Sequence, residues 1–251
     1  MNVSPYSGLS VDQWVSITLR LVQTHPLSQA AIHDAAMDSW SRLWRTRIGD
    51  NVVGFPLAEI NPPATVIGYM FEKLFAKELA ERLPGAWRGG VGSEKDLHCI
   101  TNETMSVEMK ASGQLGDKIY GNRSYGQILE NTDAAKKDKS GYYITVNFYG
   151  QTLTLLRFGW IDAFDWLAQN SDTGQMASLN AEVYKYKLLP IRGRYMLRGP
   201  VQLLYGVGEK AAEELANLGL NTIDQLIQAN CLPPKYQRLQ DAARQQYQDL
   251  Y

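Results

Sequence analysis

Three charged side chains gather in a short stretch, SEKDLHCITNETMSVEMKAS, which has the alternating pattern of a β-hairpin. In its second predicted strand, Val107 and Met109 point to one face, so Glu108 and Lys110 share the opposite face. Asp96 lies on the preceding run, close to the point where strand pairing would bring it beside them. Such a group is either a solvated face of a sheet or an active site, and this stretch alone leaves both interpretations open.

The chemistry of these residue types is that of metal-dependent phosphodiester cleavage. Asp96 and Glu108, with the carbonyl of Met109, are candidate ligands for Mg²⁺, which prefers oxygen donors and can polarise a scissile phosphate. Lys110 would hold the attacking water and offset charge in the transition state. Glu72, in the preceding predicted helix, is a candidate additional ligand, with a solvated surface acid as the alternative.

The length of the hairpin connection tests the active-site interpretation. A turn with an even number of residues, for example at Asn102 and Glu103, would set Asp96 opposite Met109 and turn it away from Glu108. A shared face therefore requires an odd-length connection or a β-bulge between residues 100 and 106.

Predicted helices come first in the chain and predicted strands follow, a layout that predicts an α+β or α/β core with a mixed sheet flanked by helices. The predicted helices are residues 11–23, 29–45, 65–83 and 162–169. The predicted strands after the hairpin are residues 142–149 and 152–160. We expect an endonuclease-type domain over 1–198, comprising a helical part (1–64), a catalytic core (65–183) and a basic linker (184–198), followed by a small all-α module over 199–251.

Bulk composition excludes several classes of protein. The 251 residues carry a formal net charge of −1, so the total charge favours neither a nucleic-acid nor a membrane partner. Two cysteines and three histidines form no zinc-type spacing, and His98 with Cys99 lacks a third partner for a nucleophile pair. No apolar run approaches the roughly 20 residues of a membrane helix, and the N-terminus has no signal-peptide pattern. We expect a soluble cytoplasmic protein.

Several blocks resemble, in order and spacing, the ScaI family of type II restriction endonucleases. These blocks are WRGGVGSEKDL, SVEMKAS, KIYGNRSYGQ, KKDKSGYYITVNF, LLRFGWIDAFDW and TGQMASL, and the similarity extends over about residues 5–190. Asp96 and the Glu108-Met109-Lys110 triplet resemble the PD-(D/E)XK motif, although Lys95 stands where that motif has proline. The resemblance implies a PD-(D/E)XK fold and Mg²⁺-dependent cleavage of double-stranded DNA at a short palindrome by a homodimer, with a partner methyltransferase in the prokaryotic cell.

The resemblance also implies that the polar segment after the hairpin contacts DNA. Arginine pairs with guanine, and asparagine or glutamine with adenine, in the major groove. The candidates for base contacts are Lys118, Asn122, Arg123 and Gln127, and the candidates for backbone contacts are Lys136, Lys137 and Lys139. A solvated loop is the alternative for all seven. The basic, tyrosine-laced stretch 184–198 suits a nucleic-acid backbone, or else a solvated linker or edge strand.

The C-terminal segment VQLLYGVGEKAAEELANLGLNTIDQL resembles a helix-hairpin-helix motif of the kind found in the DNA polymerase X family. Gly206, Val207 and Gly208 would form the hairpin, where glycine lets backbone N–H groups approach a DNA phosphate. Protein–protein packing is the alternative for this module. For the whole chain, the alternatives are a structure-specific repair or recombination nuclease of the same fold and a non-catalytic DNA-binding protein.

Overall fold

The fold is given by a computed structural model that describes residues 4–50, 52–122, 139–168 and 176–251. The α-helices of this part are α1 (Trp14–Thr24), α2 (Gln29–Arg45), α3 (Leu57–Ile60), α4 (Ala64–Arg82), α5 (Glu209–Asn217), α6 (Ile223–Gln228) and α7 (Pro234–Gln246). The strands are β1 (Arg47–Ile48), β2 (Phe55–Pro56), β3 (Trp87–Gly89), β4 (Leu97–Cys99), β5 (Val107–Ser112), β6 (Tyr120–Asn122), β7 (Gly141–Tyr149), β8 (Thr152–Ile161), β9 (Trp166–Ala168), β10 (Met176–Leu179) and β11 (Leu188–Pro190).

A six-stranded mixed sheet with the order β11-β8-β7-β5-β4-β3 forms the centre of the molecule. Strands β5 and β7 are parallel, and the other neighbours are antiparallel. The eight residues of β7 from Gly141 to Phe148 are all buried, as expected for a strand covered on both faces. The predicted α+β architecture with a mixed sheet is confirmed, and α2, α4, β7 and β8 match their predicted positions within about a residue.

Helices α1, α2 and α4 line one face of this sheet. Trp40 of α2 packs on Phe71 of α4 and Phe148 of β7, with ring centroids 5.5 and 5.2 Å apart. A Cβ atom at Gly68 would lie 3.1 Å from the Cβ of Ala111, so the backbone of α4 runs close against β5. Larger side chains at residue 68 would push the helix away from the strand.

The close contact with α4 fixes the orientation of β5. Val107 and Met109 are buried in the apolar core beneath the helices. Since successive side chains of a strand alternate, Glu108 and Lys110 face the other side of the sheet. On that side a second, three-stranded sheet, β6-β10-β9, packs through a smaller core that includes Ile119, Tyr143 and Trp166.

The predicted helix at residues 162–169 is wrong over the part of it that the structure describes. A 3-10 turn, Ala163–Asp165, is followed at once by strand β9. The carboxylate of Asp165 accepts the Asp162 N–H at 2.8 Å and also binds Lys187 Nζ at 2.8 Å. The ion pair with a residue far along the chain therefore holds Asp165 inside and ends the turn.

Lys187 is completely buried, which was not expected for a basic linker. Its Nζ donates to Asp162 Oδ2 at 2.9 Å and to both oxygens of Asp165. It also lies 4.4 Å from the ring centroids of Tyr6 and Trp14. Burial raises the pKa of Asp165, and the neighbouring Lys187 ammonium opposes that shift.

The stretch 184–198 is partly buried, although its basic residues other than Lys187 are exposed, and the edge-strand alternative describes part of it correctly. Strand β11 is the edge strand of the central sheet, paired with β8. After it, Tyr195, Met196 and Leu197 are buried. A solvated linker does not fit these three positions, and the contact of this stretch with a nucleic-acid backbone stays a prediction.

The C-terminal segment packs on the main sheet layer through one continuous apolar core. Leu204, Leu215 and Ile223 are buried in the same cluster as the central strands. Arg192 and Asp249 form an ion pair of 2.6 Å across this junction. Gly219, with φ +77°, follows the C-cap residue of α5, and the Leu220 N–H donates to the carbonyl of Leu215.

Among the described residues, no helix combines the length and the apolar character needed to cross a membrane.

Replacing Lys187 by methionine is expected to destabilise the protein by about 3–5 kcal/mol, because two buried carboxylates lose their counter-ion. Urea unfolding measures the loss, and Lys185→Met, at an exposed lysine two residues away, is the matched control with little expected change. Protonation relieves an uncompensated carboxylate whose pKa is raised, so the deficit should shrink from about pH 8 to about pH 5. An equal loss in both variants would contradict this account.

Candidate active site

The register of the β4–β5 hairpin places the two acids on one face of the sheet. Leu97 pairs with Val107 in antiparallel register, so the next pair outward is Asp96 and Glu108. Nine residues, 98–106, lie between the paired positions. The predicted odd-length connection is therefore confirmed, and the even turn that would separate the acids is excluded.

Local hydrogen bonds explain why the connection takes this length. A 3-10 turn, Glu103–Met105, is capped by the Asn102 side chain, which accepts the N–H of Thr104 at 3.1 Å. Ser106 Oγ accepts the N–H of Cys99 at 3.0 Å. A side chain thus replaces a backbone partner at the end of the ladder, and the strands remain aligned beyond it.

The groups that the sequence singled out meet around the backbone of Met109. Asp96 Oδ2 accepts the Met109 N–H at 2.8 Å. Lys110 Nζ donates to Glu108 Oε1 at 2.8 Å and to the Met109 carbonyl at 2.9 Å. The structure therefore brings together Asp96, Glu108, Met109 and Lys110, which are four of the five residues predicted for the site; the fifth is Glu72.

The carboxylates of this cluster are buried to different degrees, and the more buried one needs a nearby positive charge. Glu108 is only 4% exposed, and Asp96 is half-buried. The Lys110 side chain keeps 19% of its accessible surface. Since a buried carboxylate is costly without a cation, the Lys110 ammonium offsets the charge of Glu108.

The donor set fits a Mg²⁺ ion. It consists of two carboxylates, Asp96 and Glu108, and the carbonyl oxygen of Met109, which are hard oxygen ligands. Mg²⁺ usually keeps several waters and needs only one or two protein carboxylates. The described part of the chain holds no cluster of three or more His, Cys, Asp and Glu suited to a metal, so a larger protein cage is not formed there.

Glu72 lies on α4 and is paired with its neighbour in sequence. Its Oε1 accepts a hydrogen bond from Lys73 Nζ at 2.7 Å. This bond raises the pKa of Lys73, and the charge of Asp96 contributes to the same shift. The turn of α4 that carries Glu72 therefore lies within electrostatic reach of Asp96, and a role of Glu72 at the metal stays a hypothesis.

The residues expected to contact DNA fall into three groups. Lys118 is exposed, Asn122 ends strand β6, and Lys139 is half-buried, with its carbonyl bonded to the Tyr143 hydroxyl at 2.7 Å. Arg123, Gln127, Lys136 and Lys137 lie outside the described residues.

In the C-terminal segment, Gly206 has φ +84°, Val207 is buried, and Gly208 is the N-cap residue of α5. The element before this hairpin is a short 3-10 turn, Val201–Leu203.

Two kinds of residue near the site were not anticipated. Lys95, which stands where the motif has proline, donates to the Ser140 carbonyl at 2.8 Å and lies over the Tyr143 ring. Asn147 and Arg157 are buried polar residues on β7 and β8. Their signal in the sequence was a polar side chain within each otherwise apolar strand, VNF and LLRF.

Comparison with known proteins gives the family. The profile described as ScaI restriction endonuclease matches residues 4–192. A curated protein from Streptomyces caespitosus, "Type II restriction enzyme ScaI", is 38% identical over 198 residues, which cover 75% of this chain and 84% of that relative. No solved structure matches the chain. Because the profile spans most of the chain and includes Asp96, Glu108 and Lys110, the chain belongs to the ScaI restriction endonuclease family, whose members are site-specific deoxyribonucleases.

Proposed function

We propose that this restriction endonuclease hydrolyses phosphodiester bonds of double-stranded DNA at a short palindrome, depends on Mg²⁺, and leaves 5′-phosphates. The observation that carries the proposal is the convergence of Asp96, Glu108 and Lys110 on the Met109 backbone. The arrangement resembles that of the PD-(D/E)XK nucleases, with the first acid, Asp96, directly before β4 and the E-x-K triplet on β5.

Each residue has a distinct task in this proposal. Asp96 and Glu108, with the Met109 carbonyl, would hold Mg²⁺, and bound Mg²⁺ would supply Lewis-acid polarisation of the scissile phosphate and a more acidic water. Lys110 orients the attacking water and stabilises negative charge that develops on the phosphate oxygens. Water attacks phosphorus, the bond from phosphorus to the 3′ oxygen breaks, and that oxygen takes up a proton.

Base recognition is assigned to the segment that follows the catalytic strand. Lys118, Asn122, Arg123 and Gln127 are proposed to read base edges, and Lys136, Lys137 and Lys139 to bind phosphates. Support comes from the position of Lys118 and Asn122 at strand β6, which follows β5 directly in the chain. A palindromic target further implies a homodimer, since protein and site then share a two-fold axis. A methyltransferase of the same specificity would protect the host DNA in the cytoplasm.

The C-terminal module is proposed to add sequence-independent affinity for DNA. The hairpin Gly206-Val207-Gly208 precedes the N-terminus of α5, where backbone N–H groups can meet a phosphate. The tail lies beyond the matched family region, which ends at residue 192. It is therefore a separate contribution of this chain, and base readout remains with the main domain.

Digestion of plasmid DNA by the purified protein distinguishes this function from its rivals. Discrete bands with Mg²⁺, mapped by run-off sequencing, are the expected result. Cleavage confined to branched or damaged DNA would support a repair nuclease instead. Binding without any cleavage would support a non-catalytic DNA-binding protein.

Replacing Lys110 by alanine is expected to lower the cleavage rate by about 10²–10⁴-fold, because the water and the developing charge lose their ammonium partner. The rate is measured with enzyme in excess over plasmid. Lys77→Ala, at an exposed lysine of α4, is the matched control and should cut like the parent. Full activity of Lys110→Ala would exclude the assigned role.

Replacing Gly208 by alanine tests the C-terminal contact. Gly208 has φ −84°, and no atom lies within 4 Å of a Cβ atom placed there, so the fold should accept alanine. If backbone amides meet a phosphate, the added methyl group weakens binding to all DNA sequences alike and leaves the preference for the target unchanged. Filter binding to specific and random duplexes measures both.

The control for this experiment is Asn217→Ala, an exposed change at the far end of α5. Unaltered affinity of Gly208→Ala for both duplexes would remove the module from the DNA contact and favour its alternative, protein–protein packing.

A further inference from the structure

Three polar side chains outside the proposed catalytic set hold the segment 117–119. They are Asn147 on β7, Arg157 on β8 and Tyr184 in the π-helix Val183–Lys187, and we refer to them as the brace. All three come from elements distant in sequence from the segment that they hold. Asn147 and Arg157 had no role assigned from the sequence, whereas Tyr184 belongs to the stretch 184–198 that was offered as a nucleic-acid contact.

The brace binds the main chain of the segment. Asn147 Nδ2 donates to the Lys118 carbonyl at 3.0 Å. The Tyr184 hydroxyl accepts the Ile119 N–H at 2.9 Å and donates to the Ile119 carbonyl at 3.2 Å. These contacts fix backbone position and leave the side chain of Lys118 exposed.

Arg157 connects the parts of the brace to one another. Its Nη1 donates to Asn147 Oδ1 at 3.1 Å, and its guanidinium lies 5.2 Å from the Tyr184 ring centroid. Its Nη2 is 3.5 Å from Asp117 Oδ2, at the start of the held segment. Asn147 is thereby oriented, since its oxygen accepts from Arg157 while its amide nitrogen donates to Lys118.

Asn147 and Arg157 lie on the six-stranded sheet, on the same face as Asp96 and Glu108. In register, Lys110 of β5 lies beside Thr145 of β7, which in turn lies beside Arg157 of β8. Ser112 lies beside Asn147 in the same way. Asn147 and Arg157 therefore tie the segment that leads into β6 and Asn122 to strands β7 and β8, and β7 is the parallel neighbour of the strand that carries Lys110.

Stability alone is a poor reason to bury an arginine here. The Arg157 side chain is 5% exposed, whereas the side chain of its acidic partner, Asp117, is 68% exposed. Burial accordingly lowers the pKa of Arg157, and Asp117 opposes the shift. An apolar residue would fill this space at lower desolvation cost, but it could not orient Asn147 and Asp117.

We propose that Asn147, Arg157 and Tyr184 are positioning residues, which set the proposed DNA-reading segment relative to the catalytic residues so that cleavage depends on correct base contacts. This inference rests on the proposed function of the 118–127 segment. Small displacements of a positioning element are sufficient for large effects on rate, because the reacting groups must be aligned when the target is bound. Loss of the brace thus lowers discrimination between DNA sequences.

The variant Tyr184→Phe tests the brace with the least disturbance. It removes the hydroxyl that bonds Ile119 and keeps the ring against Arg157. The matched control is Tyr186→Phe, two residues away, where the hydroxyl interacts with the exposed Lys185. Asn147→Ala is a second variant, which removes the bond to Lys118. Thermal unfolding of the full-length proteins shows whether each variant is folded.

The measurement is the single-turnover cleavage rate of each protein on the mapped target duplex and on duplexes that differ from it by one base pair. In Tyr184→Phe and Asn147→Ala, the ratio of target to near-target rates is expected to fall by about tenfold or more. In Tyr186→Phe the ratio should equal that of the parent. Equal losses on both kinds of duplex, or an unchanged ratio, would overturn the proposal, because a purely structural role affects both rates alike.

The cleavage pattern of the parent protein distinguishes failure of the proposed function from failure of the brace proposal. If it cuts without sequence preference, the proposed function fails and the brace proposal falls with it. If it cuts one sequence while folded Tyr184→Phe and Asn147→Ala discriminate like the parent, only the brace proposal fails.

Discussion

The antiparallel register of β4 and β5 is the constraint on which the site depends. Because Leu97 pairs with Val107 across a nine-residue connection, Asp96 and Glu108 project from the same face. A shift of one residue would turn Glu108 into the apolar core under α4 and expose Met109 in its place. The buried positions of Val107 and Met109 therefore specify the register, and the register assembles the site.

The charges of the site are compatible with the fold because each is matched locally. Lys110 offsets Glu108, and the Met109 N–H satisfies Asp96. The same principle recurs at Lys187, which is buried with Asp162 and Asp165, and at Arg157, which is held by Asn147 and Asp117. At Lys187 and Arg157 the buried charge joins segments that are distant in the sequence, and Arg157 lies on the face of the sheet that carries the proposed site.

Local patterns were sufficient to predict much of the fold and the central part of the site. The apolar periodicity of α4 and the β-rich composition of β7 give their elements directly, and the alternation of Val107, Glu108, Met109 and Lys110 gives the face. The sequence could say only that Asp96 and Glu108 share a face if the hairpin connection has an odd length or a bulge. The alternation of residues along the strands does not determine that length. The observed 3-10 turn at Glu103–Met105 supplies that missing information.

Long-range pairing was beyond the reach of the sequence. Asp162 and Asp165 carry a pattern typical of a helix start, and their actual partner, Lys187, lies more than 20 residues away in a stretch that reads as a basic linker. The contacts of Arg157 depend on three elements that meet only after folding. The base-reading role of Arg123 and Gln127 lies outside the described residues and stays a prediction.

The most direct test of the account is whether Asp96 and Glu108 hold one metal ion together. Mn²⁺ affinity, measured by electron paramagnetic resonance in the presence of bound duplex, can be compared for the parent, Asp96→Asn, Glu108→Gln and the double variant. Side chains that share an ion are strongly coupled. The double variant should therefore bind Mn²⁺ only slightly less tightly than the single variant with the larger loss of affinity. Losses that add independently, or single variants that bind Mn²⁺ like the parent, would contradict a shared site.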